Sequence, residues 1–248
     1  MLVTTQRGAP RAAGGQGRSE GERLLSTVER LVDDPDTLIA QVEAYRTAAG
    51  LRPGESAVNS RHRESIARQL IASYSTKSAI SGGLTSVPGV LPGVGSAVVL
   101  LGGALVDVAF TLKCEVEMIL SLTYLYGYDI RDERERWLAY VMAGVRVHEA
   151  RTGDNYLMDL VEAELDALPR YAPRQLFKLV GSIFGRLALR SASKGLARAI
   201  PLVGIVVGAS TNKFMTDSVG WWCVDALERR ARTPGPDRAP VVDARVRP

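Results

Sequence analysis

The sequence is poor in the residues that build disulfide frameworks and metal sites. Among 248 residues there are two cysteines, Cys114 and Cys223, and two histidines, His62 and His148. Both cysteines stand in apolar or aromatic surroundings, which predicts two small buried side chains in a reducing compartment. The histidines have no partner at metal-ligand spacing, and we expect His148, beside Glu149, to be a surface residue. The composition therefore predicts neither a metal site nor a cofactor.

Signatures of common enzyme classes are also missing. The chain has no G-x-S-x-G nucleophile turn, no G-x-x-x-x-G-K-[ST] phosphate loop and no H-E-x-x-H zinc motif. The short sequence PGVGS that begins at Pro92 follows no predicted strand, so we do not interpret it as a phosphate-binding loop. These absences favour a non-enzymatic protein.

No apolar run is suited to a signal peptide or to a simple membrane-spanning helix. We expect residues 1–22, which lack a signal-peptide core, and 231–248 to be disordered tails flanking a domain at 23–230. Residues 87–106 are uncharged and long enough for a hydrocarbon core of about 30 Å, but two prolines and five glycines interrupt them. An interrupted helix leaves backbone groups unsatisfied in lipid, so we expect surface attachment or close packing in a protein core.

The chain does contain apolar spacing of the helical type almost throughout, without a convincing alternating strand. Pro35 fits a first helical position, Gly127 fits the cap that ends a helix, and Asp132 precedes a helix with an acidic first turn. Pro173 begins a long basic helix that we expect to reach Ala199, and a final helix follows. The prediction is an all-α multi-helix bundle.

Two apolar units interrupted by glycine and proline are part of this pattern. PGVGSAV from Pro92 and PLVGIVV from Pro201 share the pattern P-x-V-G-x-x-V, and each follows a basic helix. The similarity suggests an internal repeat of two units. Gly204 and Gly208 in the second unit have the GxxxG spacing, which lets helices approach closely in lipid and equally in a soluble core.

Two stretches of the chain resemble a known family. YGYD at 126–129, after a glycine-rich apolar helix, and IPLVGIVVGASTNKF at 200–214 are similar to the EcsC family of bacterial proteins, over a region from Ile66 to Val224. The resemblance implies an α-helical, membrane-associated protein without an established catalytic activity. The residues that stand where the family pattern has the same residue types are Asp107, Tyr126, Gly127, Asp129, Pro201, Gly204, Gly208 and Asn212.

Positive charge is concentrated in the helix that precedes the second apolar unit. From Arg170 to Thr216 there are eight Lys or Arg residues and no Asp or Glu. The cations recur mostly at steps of four residues, so they wind slowly around the helix as a ribbon beside apolar bulk. A basic amphipathic helix of this kind favours a surface of anionic lipid headgroups. We expect lipid contacts from Arg174, Lys178, Arg186, Arg190, Lys194 and Arg198.

Three functional hypotheses follow. The leading one is a non-enzymatic cytoplasmic protein, peripheral to the inner face of the membrane, that docks on anionic lipid. The second is a soluble scaffold that binds a protein partner or a second copy of itself, with the basic helix paired to the acids between Glu149 and Asp166. Nucleic acid is disfavoured, because no aromatic residues alternate with the cations after Phe184.

The third hypothesis is a lipid carrier or lipid-handling enzyme. Asp107, Thr111 and Glu115 are spaced four residues apart and could share one face of an apolar helix, which is an unusual place for carboxylates. A pocket between the glycine-rich helices would then use Asp107 and Glu115 as a cation or proton site. The alternatives are that these residues mark the wet side of the helix, or that Asp107 accepts hydrogen bonds from Asn212 or from backbone groups freed by the glycines.

Overall fold

The chain is almost entirely helical in the computed structural model, which describes residues 13–52, 60–84, 103–153, 159, 161, 167–193 and 201–232. The described residues contain no β-strand, so the all-α prediction is confirmed. The elements are α1 (Ala13–Leu31), α2 (Pro35–Ala48), α3 (Ser60–Leu84), α4 (Gly103–Leu125), α5 (Glu133–Thr152), a 3-10 turn (Leu168–Arg170), α6 (Pro173–Ser193) and α7 (Pro201–Arg232).

Local capping chemistry sets two of the predicted helix starts. Pro35 is the first residue of α2, and the Asp34 carboxylate accepts hydrogen bonds from two backbone amides of the first turn. Asp132 caps α5, and its side chain accepts from the amide of Arg134 at 2.8 Å. Carboxylates at these positions satisfy amides that have no partner inside the helix. Both predicted starts are confirmed.

Helix α4 lies at the centre of the bundle and packs against all six other described helices. Its apolar residues are buried on nearly every side, because α3 and α7 cover one flank while α1, α5 and α6 cover the other. Cys114 in α4 and Cys223 in α7 are buried free thiols, as predicted. Burial raises the pKa of Cys114 to about 12, so this thiol stays protonated and unreactive.

Contacts between side chains fix the direction of each helix. α7 runs parallel to α4 and antiparallel to α3 and α5, while α6 runs parallel to α5. The pairs that establish this are Glu115 with Thr216, Tyr126 with Glu228, Ser75 with Asp217, Arg68 with Trp221, Arg146 with Ser218, Glu135 with Arg230, Trp137 with Phe177, and Tyr140 with Phe184. The last residues of α3, α5 and α6 and the first residues of α4 and α7 therefore lie at one end of the bundle, which we call the Pro201 end.

The N-terminal boundary differs from the prediction. α1 begins at Ala13, so residues 13–22, which we expected within a disordered tail, are helical. The glycine-rich composition of this stretch favours disorder, but Gly21 is buried against Gly185 of α6. Tertiary packing therefore stabilises a helix that local propensity alone would not. At the other end α7 reaches Arg232, two residues into the predicted tail at 231–248, and the rest of the two predicted tails, 1–12 and 233–248, lies outside the described residues.

Of two further sequence predictions, one is wrong and one is not tested by the described residues. His148, expected at the surface, is 1% exposed, because α4, α6 and α7 enclose α5. That prediction was wrong. Most of the first apolar unit and residues 194–200 before the second lie outside the part of the chain that the structure describes, so the internal repeat stays a prediction.

The close contact between Gly21 and Gly185 predicts that a larger residue at position 21 destabilises the fold. A Cβ atom added to Gly21 would lie 2.6 Å from both the Cα and the N of Gly185, and backbone atoms cannot rotate away. We expect Gly21→Ala to lower the free energy of unfolding by about 1–3 kcal/mol, the usual cost of overpacking. Chemical denaturation measures the change.

Gly181 supplies a matched control on α6. A Cβ added there meets no atom within 4 Å, so Gly181→Ala should raise stability by about 0.5–1 kcal/mol through helix propensity. If Gly21→Ala were as stable as the parent protein, α1 would not pack on α6 in solution.

Candidate functional site

Helix α6 presents an apolar face to the bundle and a basic face outward. Apolar residues at intervals of three and four produce this division. The outward face carries Arg174, Lys178 and Arg186, all of them exposed. The buried residues of the inward face are Leu176, Val180, Ile183, Phe184, Gly185, Leu187 and Ala188.

The three exposed cations have no acidic partner in the part of the chain that the structure describes. Within the described ranges, no carboxylate lies within ion-pair distance of Arg174, Lys178 or Arg186. Glu149, one of the acids that the scaffold hypothesis assigns to this helix, pairs instead with Arg146, with 2.7 Å between Glu149 Oε2 and Arg146 Nη1. Asp159, another of these acids, is exposed and pairs with none of the three cations, while the other predicted acidic partners, Asp154, Glu162, Glu164 and Asp166, lie outside the described residues.

Large apolar side chains are exposed on the same helix. Phe177 is 46% exposed and Leu189 is 42% exposed. The Phe177 ring packs edge-on against Trp137, with 5.0 Å between ring centroids, so its position beside Arg174 and Lys178 is fixed. The outer face of α6 thus combines cations that have no described acidic partner with two exposed apolar side chains, of which Phe177 is held by Trp137.

The second half of the predicted ribbon is not described. α6 is described as far as Ser193 and the chain is next described from Pro201, so the expected continuation of the helix to Ala199 lies outside the described residues. Lys194 and Arg198 lie outside the described residues, as does the side chain of Arg190. The site described by the structure therefore consists of the first three cations of the ribbon.

Gly127, one of the residues that match the family pattern, ends α4. Its φ of +87° is left-handed, a conformation that glycine adopts without strain. The Gly127 amide donates to the carbonyl of Tyr124 at 2.9 Å, and the Tyr128 amide donates to that of Thr123 at 3.2 Å. These two bonds form a Schellman motif, so the predicted cap is confirmed.

Tyr126 and Asp129 belong to the same turn. The Tyr126 hydroxyl donates to Glu228 Oε1 at 3.3 Å, and the Arg63 guanidinium lies 5.0 Å from the centre of its ring, so Tyr126 joins α3 and α7 to the end of α4. The Asp129 side chain accepts from the amide of Arg131 at 2.9 Å. These contacts give both residues an architectural role.

The remaining pattern residues lie far from that turn. Asp107 precedes Tyr126 by 19 residues of α4, which corresponds to about 28 Å along the axis. Pro201 begins α7, and the side chains of residues 201–212, which include Gly204, Gly208 and Asn212, are outside the described set. The pattern residues therefore occupy both ends of α4 and do not converge on a single site.

Glu115 is completely buried at the interface of α4 with α7. Its Oε1 accepts a hydrogen bond from the Thr216 hydroxyl at 2.7 Å, while its Oε2 has no hydrogen-bond partner among the described residues. Burial raises the pKa of Glu115 to about 8, with a small contribution from Asp217, although the Thr216 hydrogen bond and the Arg146 charge both act to lower it. The carboxyl group is therefore mostly neutral at pH 7.

The three residues proposed to share one face of α4 do not form a ligand cluster. The Thr111 hydroxyl donates to the backbone carbonyl of Asp107 at 2.8 Å, so it is used within its own helix. No group of three or more His, Cys, Asp or Glu side chains in the described residues could hold a metal ion. Sequence reasoning singled out Glu115 but missed Thr216, which is 101 residues away along the chain.

Comparison with known proteins gives a family match for most of the chain. None of the described helices has both the length and the apolar character needed to cross a membrane. No curated protein and no solved structure matches the chain. Residues 54–230 match the EcsC protein family, and this region contains α3 to α6, the Tyr126 to Asp129 turn and nearly all of α7. Because the match covers well over half of the sequence, the chain belongs to the EcsC protein family.

Proposed function

We propose that the protein is a non-enzymatic peripheral membrane protein that docks on anionic lipid, at the cytoplasmic face, through the basic face of α6. One observation carries the proposal. Arg174, Lys178 and Arg186 are exposed without a described acidic partner, and Phe177 and Leu189 are exposed on the same helix. Cations of this kind bind headgroup phosphates, while apolar side chains enter the boundary between headgroups and acyl chains.

The magnitude of the attraction favours reversible binding. Each cation near an anionic surface contributes about 1 kcal/mol, so three contribute about 3 kcal/mol, and this amount alone is marginal. Partial burial of Phe177 and Leu189 in the interface adds to it. The packing of α6 against α1 and α5 holds the face in position, so little ordering is needed when the protein binds.

Cosedimentation with vesicles tests the proposal. We expect the protein to pellet with vesicles that contain phosphatidylglycerol and to stay in solution with vesicles of phosphatidylcholine alone. Binding should weaken steeply with added salt, because the screening length falls from about 10 Å at 0.1 M to about 3 Å at 1 M. Binding that does not depend on lipid charge or on salt concentration would contradict the proposal. If the protein bound neither kind of vesicle, the scaffold hypothesis would be favoured.

A further inference from the structure

The basic face of α6 has a serine at the position where its series of cations is interrupted. Lys178, Ser182 and Arg186 are spaced four residues apart, and all three are exposed. A step of four residues turns the helix by about 40° and advances it by about 6 Å. The three side chains therefore lie along one outward strip of α6, with the serine between the two cations.

The Ser182 hydroxyl is not used within its own helix. In other helices of the bundle, the hydroxyls of Thr27, Thr47 and Thr76 donate to the carbonyl four residues earlier. The Ser182 hydroxyl makes no hydrogen bond within the described ranges. A Cβ added to the preceding residue, Gly181, would meet no atom within 4 Å, so the neighbouring surface of α6 is open. The hydroxyl is therefore free to donate to a ligand.

Arg186 lies one turn after Ser182 and is directed back toward it. Side chains on a helix point toward its N-terminal end, so Arg186 covers the turn that contains Ser182. A guanidinium group donates two parallel hydrogen bonds to two oxygens of one phosphate. Lys178, one turn before Ser182, adds a second positive charge on a flexible stem. A phosphate bound by both cations therefore lies next to the serine hydroxyl.

We propose that Lys178, Ser182 and Arg186 form a subsite for a lipid headgroup that is a phosphate monoester, as in phosphatidic acid. A monoester has three terminal oxygens and a charge of about −1.5 to −2 at pH 7, whereas the diester of phosphatidylglycerol has two terminal oxygens and a single negative charge. Two oxygens of the monoester accept from Arg186, and the third accepts from Ser182. The inference rests on the proposed function and adds the class of headgroup that the basic face of α6 selects.

Cosedimentation with two kinds of vesicle tests the subsite. Phosphatidylcholine vesicles contain either phosphatidic acid or phosphatidylglycerol, in amounts that give both the same zeta potential, so that the overall charge attraction is equal. We expect about fivefold tighter binding to phosphatidic acid, which corresponds to about 1 kcal/mol for one additional hydrogen bond. Equal affinities would overturn the inference and leave the proposed function intact, whereas failure to bind either vesicle would overturn both.

Ser182→Ala should remove this preference without changing the affinity for phosphatidylglycerol. Alanine favours a helix, so the variant should fold as the parent protein does. Ser65→Ala makes the same change at an exposed serine of α3, where Glu64 pairs with Arg68, and it should keep the preference. A preference that survives Ser182→Ala, or that Ser65→Ala also removes, would overturn the inference.

Glycerol 3-phosphate distinguishes the lipid from a soluble phosphate ester. It carries the phosphate monoester of phosphatidic acid without the acyl chains, so it gains nothing from the exposed Phe177 and Leu189 at a membrane interface. We expect it to release the protein from phosphatidic acid vesicles no more than sodium chloride of the same ionic strength does. Stronger release would assign the subsite to a soluble ester and overturn the proposed lipid selectivity.

Discussion

Neutralising the three exposed cations of α6 is expected to weaken binding to anionic vesicles by about 100-fold. The variant combines Arg174→Gln, Lys178→Gln and Arg186→Gln. At about 1 kcal/mol for each cation, and about 1.4 kcal/mol for each tenfold change in affinity, the three substitutions together account for about two orders of magnitude. The fold should be unaffected, because these side chains are exposed and have no described ion-pair partner.

A second triple variant separates the position of the charges from their number. It also removes three positive charges, through Arg61→Gln, Arg68→Gln and Arg232→Gln. These exposed sites lie in the first half of α3 and at the end of α7, away from the Pro201 end. Cosedimentation with phosphatidylglycerol vesicles should give this variant nearly the affinity of the parent. Equal losses in the two variants would mean that overall charge, and not the face of α6, determines binding.

Replacing Glu115 by glutamine is expected to remove a pH dependence of folding stability. In the folded protein burial holds the pKa of Glu115 at about 8, whereas the ordinary value is 4.5. Between these two values the unfolded chain loses a proton that the folded chain keeps, so the free energy of unfolding falls as pH rises and then levels above pH 8. At 1.36 kcal/mol for each pKa unit, the full decrease is about 5 kcal/mol.

Urea denaturation at several pH values between about 4.5 and 9 measures this effect as the difference between parent and variant. Glu115→Gln should be close to the parent at the acidic limit and more stable above pH 8. Thr216→Val is the control, because it keeps the carboxyl group and removes the hydroxyl that donates to it. This control should lose about 1–2 kcal/mol and keep the pH dependence. If the parent and Glu115→Gln showed the same pH dependence, the pKa of Glu115 would be the same in the folded and the unfolded protein, which would contradict the prediction.

The boundaries that could be predicted from the sequence are those made by neighbouring residues. Pro35, Gly127 and Asp132 mark helix ends through bonds or conformations that span at most a few residues. The outward cations and inward apolar residues of α6 follow in the same way from helical periodicity. The amino-acid pattern therefore contained both the helical class and the candidate lipid-binding face.

Predictions that depended on a distant partner were incomplete or wrong. His148 is polar and near a helix end, but three other helices bury it. Glu115 could be singled out in an apolar helix, whereas its partner Thr216 could not, because the two lie 101 residues apart. The YGYD residues, which carry the family resemblance, cap the end of α4, and Tyr126 connects this end to α3 and α7.

By itself, the sequence of this protein determined an all-α fold, the ends of several helices and a basic amphipathic α6, because periodicity and capping act within one or two turns. Only the tertiary structure decided that α1 packs on α6 at Gly21, that Glu115 is enclosed against α7, and that α7 runs parallel to α4 and antiparallel to α3. Burial and helix direction depend on contacts between residues distant in the chain, and no local pattern encodes those contacts.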